Sequence, residues 1–290
     1  VQHHHAHVAA VLAEHGRTEA VLGLSFDGTG YGEDGAVWGA EFLVADLLGY
    51  RRLAHLDYAP LPGGDRAARN PWRTALGYLH GLPEAESIAE RVLLDVSPEE
   101  RETVARQLTR AVNSPLASSM GRLFDAAAAI LGVRRVARFE GQAPMELEAL
   151  AGGAAGPALP PLEWTPDRGP EGERRLDPRP LLLALGWEAA AGRSIEALAA
   201  GFHDTLARSV ARAAVELAEA EGLSTVALGG GVFQNARLLS GVTRAPAAHA
   251  RQALPPRARS PNDGGIAFGQ VAVAAARLAA APPPANPRRH

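Results

Sequence analysis

The chain contains no cysteine. Disulfides, cysteine-based zinc ribbons and cysteine nucleophiles are therefore excluded from it. It contains no lysine either, so all 29 of its Lys/Arg positions are arginine. With the many alanines, that bias points to GC-rich coding and not to a function. Aromatic residues make up only 5%, and no stripe of arginines interleaves with them as a single-stranded nucleic-acid groove would require. The net charge of −3 gives no basic footprint for nucleic acid. No apolar run is long enough to span a bilayer, and no secretory signal opens the chain. The expected compartment is the cytoplasm, with neither nucleic acid nor membrane as a partner. What remains is the make-up of a folded protein: 47% hydrophobic and 21% charged residues over 290 positions, enough for one large domain or two lobes.

The opening residues Val1-Gln2-His3-His4-His5-Ala6-His7 hold four of the ten histidines. They run into Val8-Ala9-Ala10-Val11-Leu12-Ala13-Glu14, which reads as an amphipathic helix ending at Gly16. On that helix His3 and His7 are i and i+4, so both imidazoles leave one face a turn apart. That spacing is how a helix presents two nitrogens to one metal ion. Polar histidines in solvent at a helix start are the plainer alternative. His4 and His5 point elsewhere and are not expected to ligate.

Ala20 to Phe26 reads as a buried strand ending in Asp27-Gly28-Thr29-Gly30-Tyr31-Gly32. Glycines around a threonine after a strand let the backbone approach a phosphate, with Asp27 placed to hold a cation beside it. A hairpin turn is the other reading, and Ala36 to Asp46 and Tyr50 to Leu56 look like the next two strands. Leu61 to Arg66 is a loop, and Pro71 suits the first turn of the helix that follows. Arg66, Arg69 and Arg73 fit either an anion site or a solvated face. Ser97 to Val112 is a surface helix capped by Ser97. Ser114 to Leu131 reads as a helix in which Gly121 marks a close backbone approach. Ala151 to Pro180, rich in Gly and Pro, is the expected lobe boundary or surface excursion. Ser194 caps a long helix that stops at Gly222. Thr225 to Leu228 is a short strand, and Gly229-Gly230-Gly231 then opens a helix, a backbone cradle for an anion. Asp263 precedes a further glycine pair and a helix to Ala281.

Several segments together resemble the C-terminal domain of the HypF family of carbamoyltransferases: VQHHHAH, SFDGTGYGEDGAVWGAEF, PLPGGDRAARNPWRTALGYL, SSMGRLFDAAAAILG, FEGQAPMELE, LGGGVFQN and PNDGGIAFGQ. The resemblance covers residues 1 to 80, 114 to 150 and 225 to 275. The domain is similar to tRNA threonylcarbamoyltransferases of the TsaD type and to antibiotic O-carbamoyltransferases of the TobZ type. It implies an α/β, actin-like two-lobe fold whose first lobe is truncated here. Residues 1–150 would form the first part, 151–193 a Gly/Pro-rich connection, 194–281 the C-terminal lobe and 282–290 a disordered tail.

The resemblance further implies transfer of a carbamoyl group from carbamoyl adenylate to the C-terminal thiol of HypE, for the cyanide ligands of nickel–iron hydrogenase. A small-molecule O-carbamoyltransferase, or an inactive fragment that only docks HypE, are the alternatives. His3, His7, Asp27 and Asp263 are expected around one divalent cation, iron or zinc, since mixed N and O ligands suit either. Adenine nucleotide (ATP, with magnesium compatible beside it, and carbamoyl adenylate) is expected between Gly28-Thr29-Gly30 and Gly229-Gly230-Gly231 with Asn235. By analogy with TsaD, Asp125 and Glu146 would hold the ribose hydroxyls. Beginning at Val1, the chain reads as the trailing part of something longer. Two consequences are expected: the Ala20–Phe26 strand presents an unpaired apolar edge, and the histidine helix frays at its start. Little carbamoyl transfer from carbamoyl phosphate is then expected of this chain alone.

Overall fold

The computed structural model describes residues 1–249 and 251–281, so the expected disordered tail at 282–290 lies outside the described residues. The chain opens with α1 (His3–Glu14), started by Gln2, whose side-chain oxygen accepts from the His5 amide, and closed near Gly16 in the left-handed region. Three antiparallel strands follow: β1 (Val21–Tyr31), β2 (Val37–Ala45) and β3 (Tyr50–Leu56). β1 does not stop at Phe26. It runs through the glycine segment to Tyr31, and the hairpin turn falls later, at Gly32–Gly35. The register slips between Phe26 and Gly30, so Asp27, Gly28 and Thr29 form a bulge inside a strand.

β4 (Ala59–Pro60), α2 (Asp65–Arg69), α3 (Pro71–Leu79), α4 (Glu86–Val92) and α5 (Pro98–Arg110) come next. Ser97 caps α5 by accepting from the Glu100 amide, and Pro71 occupies the first turn of α3. The expected single helix over Ser114–Leu131 divides into β5 (Leu116–Ser119) and α6 (Met120–Ile130). Leu116–Ser119 pairs with both β2 and β4, and that pairing outweighs local helix propensity. α7 (Gln142–Ala151) precedes two short strands, β6 (Glu163–Trp164) and β7 (Arg174–Asp177). α8 (Arg179–Ala190) and α9 (Ile195–Ala220) follow, the latter capped by Ser194. The described residues end in β8 (Thr225–Gly229), α10 (Ala236–Ala248), β9 (Gln252–Leu254) and α11 (Ile266–Ala280).

Among the described residues, one sheet of nine strands takes members from all three expected segments, in the order β6-β7-β3-β2-β1-β8-β9 with β4 and β5 to the side. Residues 151–193 are therefore no excursion: β7 pairs in parallel with β3, from Ala54 opposite Arg174. Nor does β1 have a free edge. It pairs with β2 on one side and, in parallel, with β8 on the other.

Alternation along β1 assigns the two faces of the sheet. Leu22, Leu24 and Phe26 join Phe42, Phe124 and Phe202 in the large core beneath α3, α6 and α9. Val21, with Leu43, Ala45 and Ala227, meets Val8, Val11 and Leu12 of α1 on the opposite face. α11 lies over the outside of α1. α1 is thus covered on both sides and buried from His4 to Leu12, neither amphipathic nor frayed. Among the described residues, no helix is long and apolar enough to cross a membrane. The architecture is mixed α/β.

Candidate metal and nucleotide site

Three elements converge where β1 bulges. α1 brings His3 and His7, the bulge brings Asp27, and the turn before α11 brings Asp263. One ligand atom from each lies within 4.8 Å of all the others. The Nε2 atoms of His3 and His7 each stand 3.0 Å from Asp27 Oδ2 and 3.5 Å from Asp263 Oδ1, and 3.2 Å from each other. Donors about 2.1 Å from one tetrahedral ion lie roughly 3.4 Å apart, so two imidazoles and two carboxylates at this spacing fit a divalent cation. Electrostatics favours the charged form of the carboxylate. Burial pushes Asp27 up, but hydrogen bonds from His3 and His7 hold it well below the usual carboxylate range. Burial works against a charged His3 too, yet Asp27 and Asp263 leave it raised.

His4 and His5 lie outside this cluster. The His4 ring packs against Trp38, and burial lowers it to about 4. His5 Nε2 is 2.7 Å from the Asp46 carbonyl.

A cavity of about 530 Å³ opens beside the cluster and shares Asp27 and Asp263 with it. Gly28, Gly121, Arg122 and Phe124 form one wall, Glu140, Met145 and Glu148 another, and Gly231, Asn235 and Asn262 a third. The volume is in the range of small-ligand sites.

The expected nucleotide residues separate sharply here. Gly28, Gly231 and Asn235 line the cavity. Thr29 is exposed and is not among the lining residues. Gly30 faces α1, where a Cβ would collide with the His4 ring. Gly229 packs on the backbone of His7, with a hypothetical Cβ 2.9 Å from its carbonyl oxygen. Gly230, at φ +98, presses on the backbone of Phe26. These three glycines let α1, β1 and β8 approach one another. The turn after β8 also does not open directly into a helix: a single 3-10 turn, Gly231–Gln234, precedes α10.

Asp125 and Glu146 are likewise absent from the cavity lining. Asp125 is buried in α6 beside Arg122, and burial pushes its carboxyl up to about 6. Glu146 makes a two-pronged pair with Arg134 at 2.8 and 2.7 Å. The carboxylates that do face the cavity from this region are Glu140 and Glu148. Glu148 accepts from the Ala236 amide at 2.7 Å, satisfying the start of α10. The helix period explains the exchange: Glu146 and Glu148 are two residues apart, hence on different faces of α7.

Three further contributors complete the site, and the first two had no separate signal in the sequence. Ser119 holds the bulge, its hydroxyl 2.7 Å from the Gly28 carbonyl and 3.1 Å from that of Asp27, while its oxygen accepts from the Arg122 amide. It thereby sets α6 against β1, where a Cβ on Gly121 would meet Gly28 Cα at 2.8 Å. His203, deep in α9, donates from Nδ1 to the Ala199 carbonyl at 2.7 Å. Its Nε2 is then the acceptor for the Asn235 amide at 3.0 Å. Asn235 Oδ1 accepts from the Leu238 amide, so that side chain is held at both ends. Asn262 accepts from the Gly264 amide at 2.9 Å, an Asx turn that the Asn-Asp-Gly-Gly run does suggest.

Arg66, Arg69 and Arg73 are not in the cavity lining. Arg73 is buried against the Pro62 carbonyl and Glu100, and Arg66 pairs with Glu100 at 3.1 Å.

Comparison with known proteins identifies the family and supports the actin-like fold. Residues 23–270 match the family described as carbamoyltransferase, Kae1-like domain, second subdomain. The chain is 44% identical to carbamoyltransferase HypF2 of Cupriavidus necator over 96% of its own length and 36% of that protein. It is 45% identical to a carbamoyltransferase HypF homolog of the same organism, covering 97% of this chain and 72% of that one. A crystal structure of full-length HypF in its phosphate- and nucleotide-bound form superimposes with a TM-score of 0.88 at 38% identity, over 96% of this chain and 36% of that one. HypF of T. kodakarensis gives 0.82 at 33% identity, over 97% and 37%. The chain therefore spans about a third of HypF2 and of both solved proteins. With its sequence matched along nearly its whole length and its fold superimposed on theirs, the chain belongs to the HypF family of carbamoyltransferases.

Proposed function

We propose that this chain carries out the transfer step of its family: a carbamoyl group passes from carbamoyl adenylate to the C-terminal cysteine thiol of HypE, the start of cyanide-ligand synthesis for nickel–iron hydrogenase. The observation that carries the reading is the shared wall between the four-residue donor cluster and the cavity, through Asp27 and Asp263. A cation held by His3, His7, Asp27 and Asp263, iron or zinc, would supply Lewis-acid polarisation of a carbonyl. ATP and carbamoyl phosphate are the ultimate sources of the adenylate, and a cytoplasmic location belongs to the same proposal.

The chemistry asks little of the protein's own nucleophiles. Carbamoyl adenylate is a mixed anhydride. The partner's thiolate adds to the carbamoyl carbon, the C–O bond to the phosphate breaks, AMP leaves, and the thiol proton goes to solvent. A chain without cysteine suits a reaction whose sulfur arrives on the acceptor. The chain's part is to hold the leaving nucleotide at Gly28, Gly231 and the clamped Asn235, and to restrict water around the anhydride.

The test supplies HypE and adenylate formed in situ by a separate adenylate-forming enzyme from ATP and carbamoyl phosphate, and reads intact mass. One carbamoyl group on the HypE terminal cysteine, lost with Asp27→Ala, is the expected result. HypE that binds but stays unmodified would identify a docking module. Carbamoylation of a small hydroxyl acceptor in place of HypE would move the assignment to an O-carbamoyltransferase.

A further inference from the structure

Four carboxylates line the cavity: Asp27, Glu140, Glu148 and Asp263. Among the described residues, Arg122 is the one cationic side chain that lines it with them. An anion entering such a space is repelled from most of its wall and attracted at one place. Arg122 is also held in an unusual way for a buried arginine. Its side chain is 6% exposed. Its Nε lies 3.1 Å from Asp125 Oδ2, yet the two are not aligned for a hydrogen bond, and among the described residues neither atom has another partner. A buried arginine without a formed hydrogen bond at Nε has donors to offer, and a planar fork of donors matches a phosphate.

Its place along the cavity wall is set by backbone packing. Ser119 caps α6 at the Arg122 amide and grips the Gly28 and Asp27 carbonyls with the same hydroxyl. The Arg122 guanidinium then reaches over Gly28: a Cβ built there would stand 3.2 Å from Nη2. Gly28 directly follows Asp27 of the donor cluster.

We infer that Arg122 is the phosphate contact of this cavity, holding the anionic phosphoryl group of a nucleoside monophosphate, whether free AMP or the AMP part of an adenylate, against the bulge at Gly28. The assignment rests on the nucleotide reading above and adds to it the residue that distinguishes a charged nucleotide from its nucleoside. It also gives Gly28 a role apart from that of a phosphate-loop amide, since its N–H is already taken by Asp27 Oδ1 at 2.8 Å. Gly28 leaves the space that the guanidinium occupies.

Titration calorimetry with AMP and with adenosine tests this on the full chain. The unmodified chain is expected to bind AMP at least about tenfold more tightly than adenosine, the scale of a charge-assisted contact. In Arg122→Gln that ratio collapses towards one while adenosine binding stays within about threefold. Arg122→Lys retains part of the preference. Gly28→Ala, which displaces the guanidinium without removing charge, also lowers it. Thermal melts of each variant establish that it is folded. A folded Arg122→Gln that keeps the full AMP preference overturns the assignment, as does one that loses AMP and adenosine equally. An unmodified chain that binds neither probe overturns the nucleotide reading itself, and this assignment with it.

Discussion

Gly269 of α11 lies against Ala6 of α1 so closely that a Cβ on it would fall far inside van der Waals contact with the Ala6 carbonyl oxygen. This crossing brings the N-terminal end of α11, and with it Asp263, over the face of α1 that carries His3 and His7. Gly269→Val is expected to force the helices apart, at an overpacking cost of about 1 to 3 kcal/mol. Asp263 should separate from the histidine pair. Chemical denaturation and zinc titration of the same variant check both effects, and a variant that keeps both stability and zinc affinity contradicts the account.

The proposed metal site predicts one divalent ion per chain. Changing a residue that merely orients a ligand typically costs about 10- to 100-fold in affinity, so removing a ligand should cost at least that much. His7→Ala, Asp27→Ala and Asp263→Ala are each expected to lower zinc or ferrous-iron affinity by about 100-fold or more. Glu102→Ala, an exposed change on α5, should leave it unaltered. Competition against a chromogenic chelator measures this. Equal affinity in the Asp263→Ala and unmodified chains would remove Asp263 from the ligand set.

Neighbouring glycines after β8 should respond differently. Gly230→Ala drives a Cβ into the Phe26 backbone at φ +98, a left-handed conformation costly for any side chain. Loss of about 2 kcal/mol or more is expected. Gly231→Ala meets Asp27 Oδ1 at 3.1 Å and Asn262 Cβ at 3.4 Å, with backbone no nearer than 3.9 Å. It should fold with near-normal stability and bind AMP more weakly. Melting curves and AMP titration separate the two, and matching stability losses would mean that both glycines serve packing alone.

Acid should unfold the chain partly through His203. Burial lowers its pKa from 6.5 to about 4, and a proton on Nε2 would face the Asn235 amide donors. Its folded pKa lies below the unfolded one, so the folded state binds fewer protons. Its contribution is present above 6.5 and is lost as pH falls towards about 4. The expected loss is about 2 kcal/mol between pH 7 and pH 5. Asp125 runs the other way. Its folded pKa is raised from 3.8 to about 6, so its contribution is present below 3.8 and is lost as pH rises through about 6. Comparing denaturant midpoints of the unmodified chain and His203→Gln across this range cancels Asp125. An unchanged pH slope in His203→Gln would exclude His203 as the cause.

Much of the site is legible in the sequence because its signals are local. The i, i+4 spacing of His3 and His7 requires only that the segment be helical. Ser97, Ser194 and Gly222 mark helix ends through hydrogen bonds and backbone angles within a few residues of themselves. The strands around Leu24, Phe42 and Leu228 follow from apolar runs bounded by turn residues. Asp27 and Asp263 joined the histidines through the family resemblance; neither pattern nor spacing says that residues 236 positions apart in the chain will meet.

The glycines are less legible, and for a physical reason. A glycine beside a strand can mean that a ligand approaches or that another backbone does, and the sequence looks the same in both cases. Gly30, Gly229 and Gly230 press on the protein's own elements, whereas Gly28 and Gly231 border the cavity, Gly28 leaving room for the Arg122 guanidinium. The distinction depends on the bulge in β1 and on which elements flank it. The sequence by itself determined the alternation of strands and helices, the paired histidines and the family. Tertiary structure decided that β1 lies inside the sheet, that Glu140 and Glu148 face the cavity in place of Asp125 and Glu146, and that Arg122 stands alone among carboxylates. Those outcomes come from strand pairing and helix packing between distant segments, where one residue of register or two positions of helix phase turn a side chain from the cavity to the core.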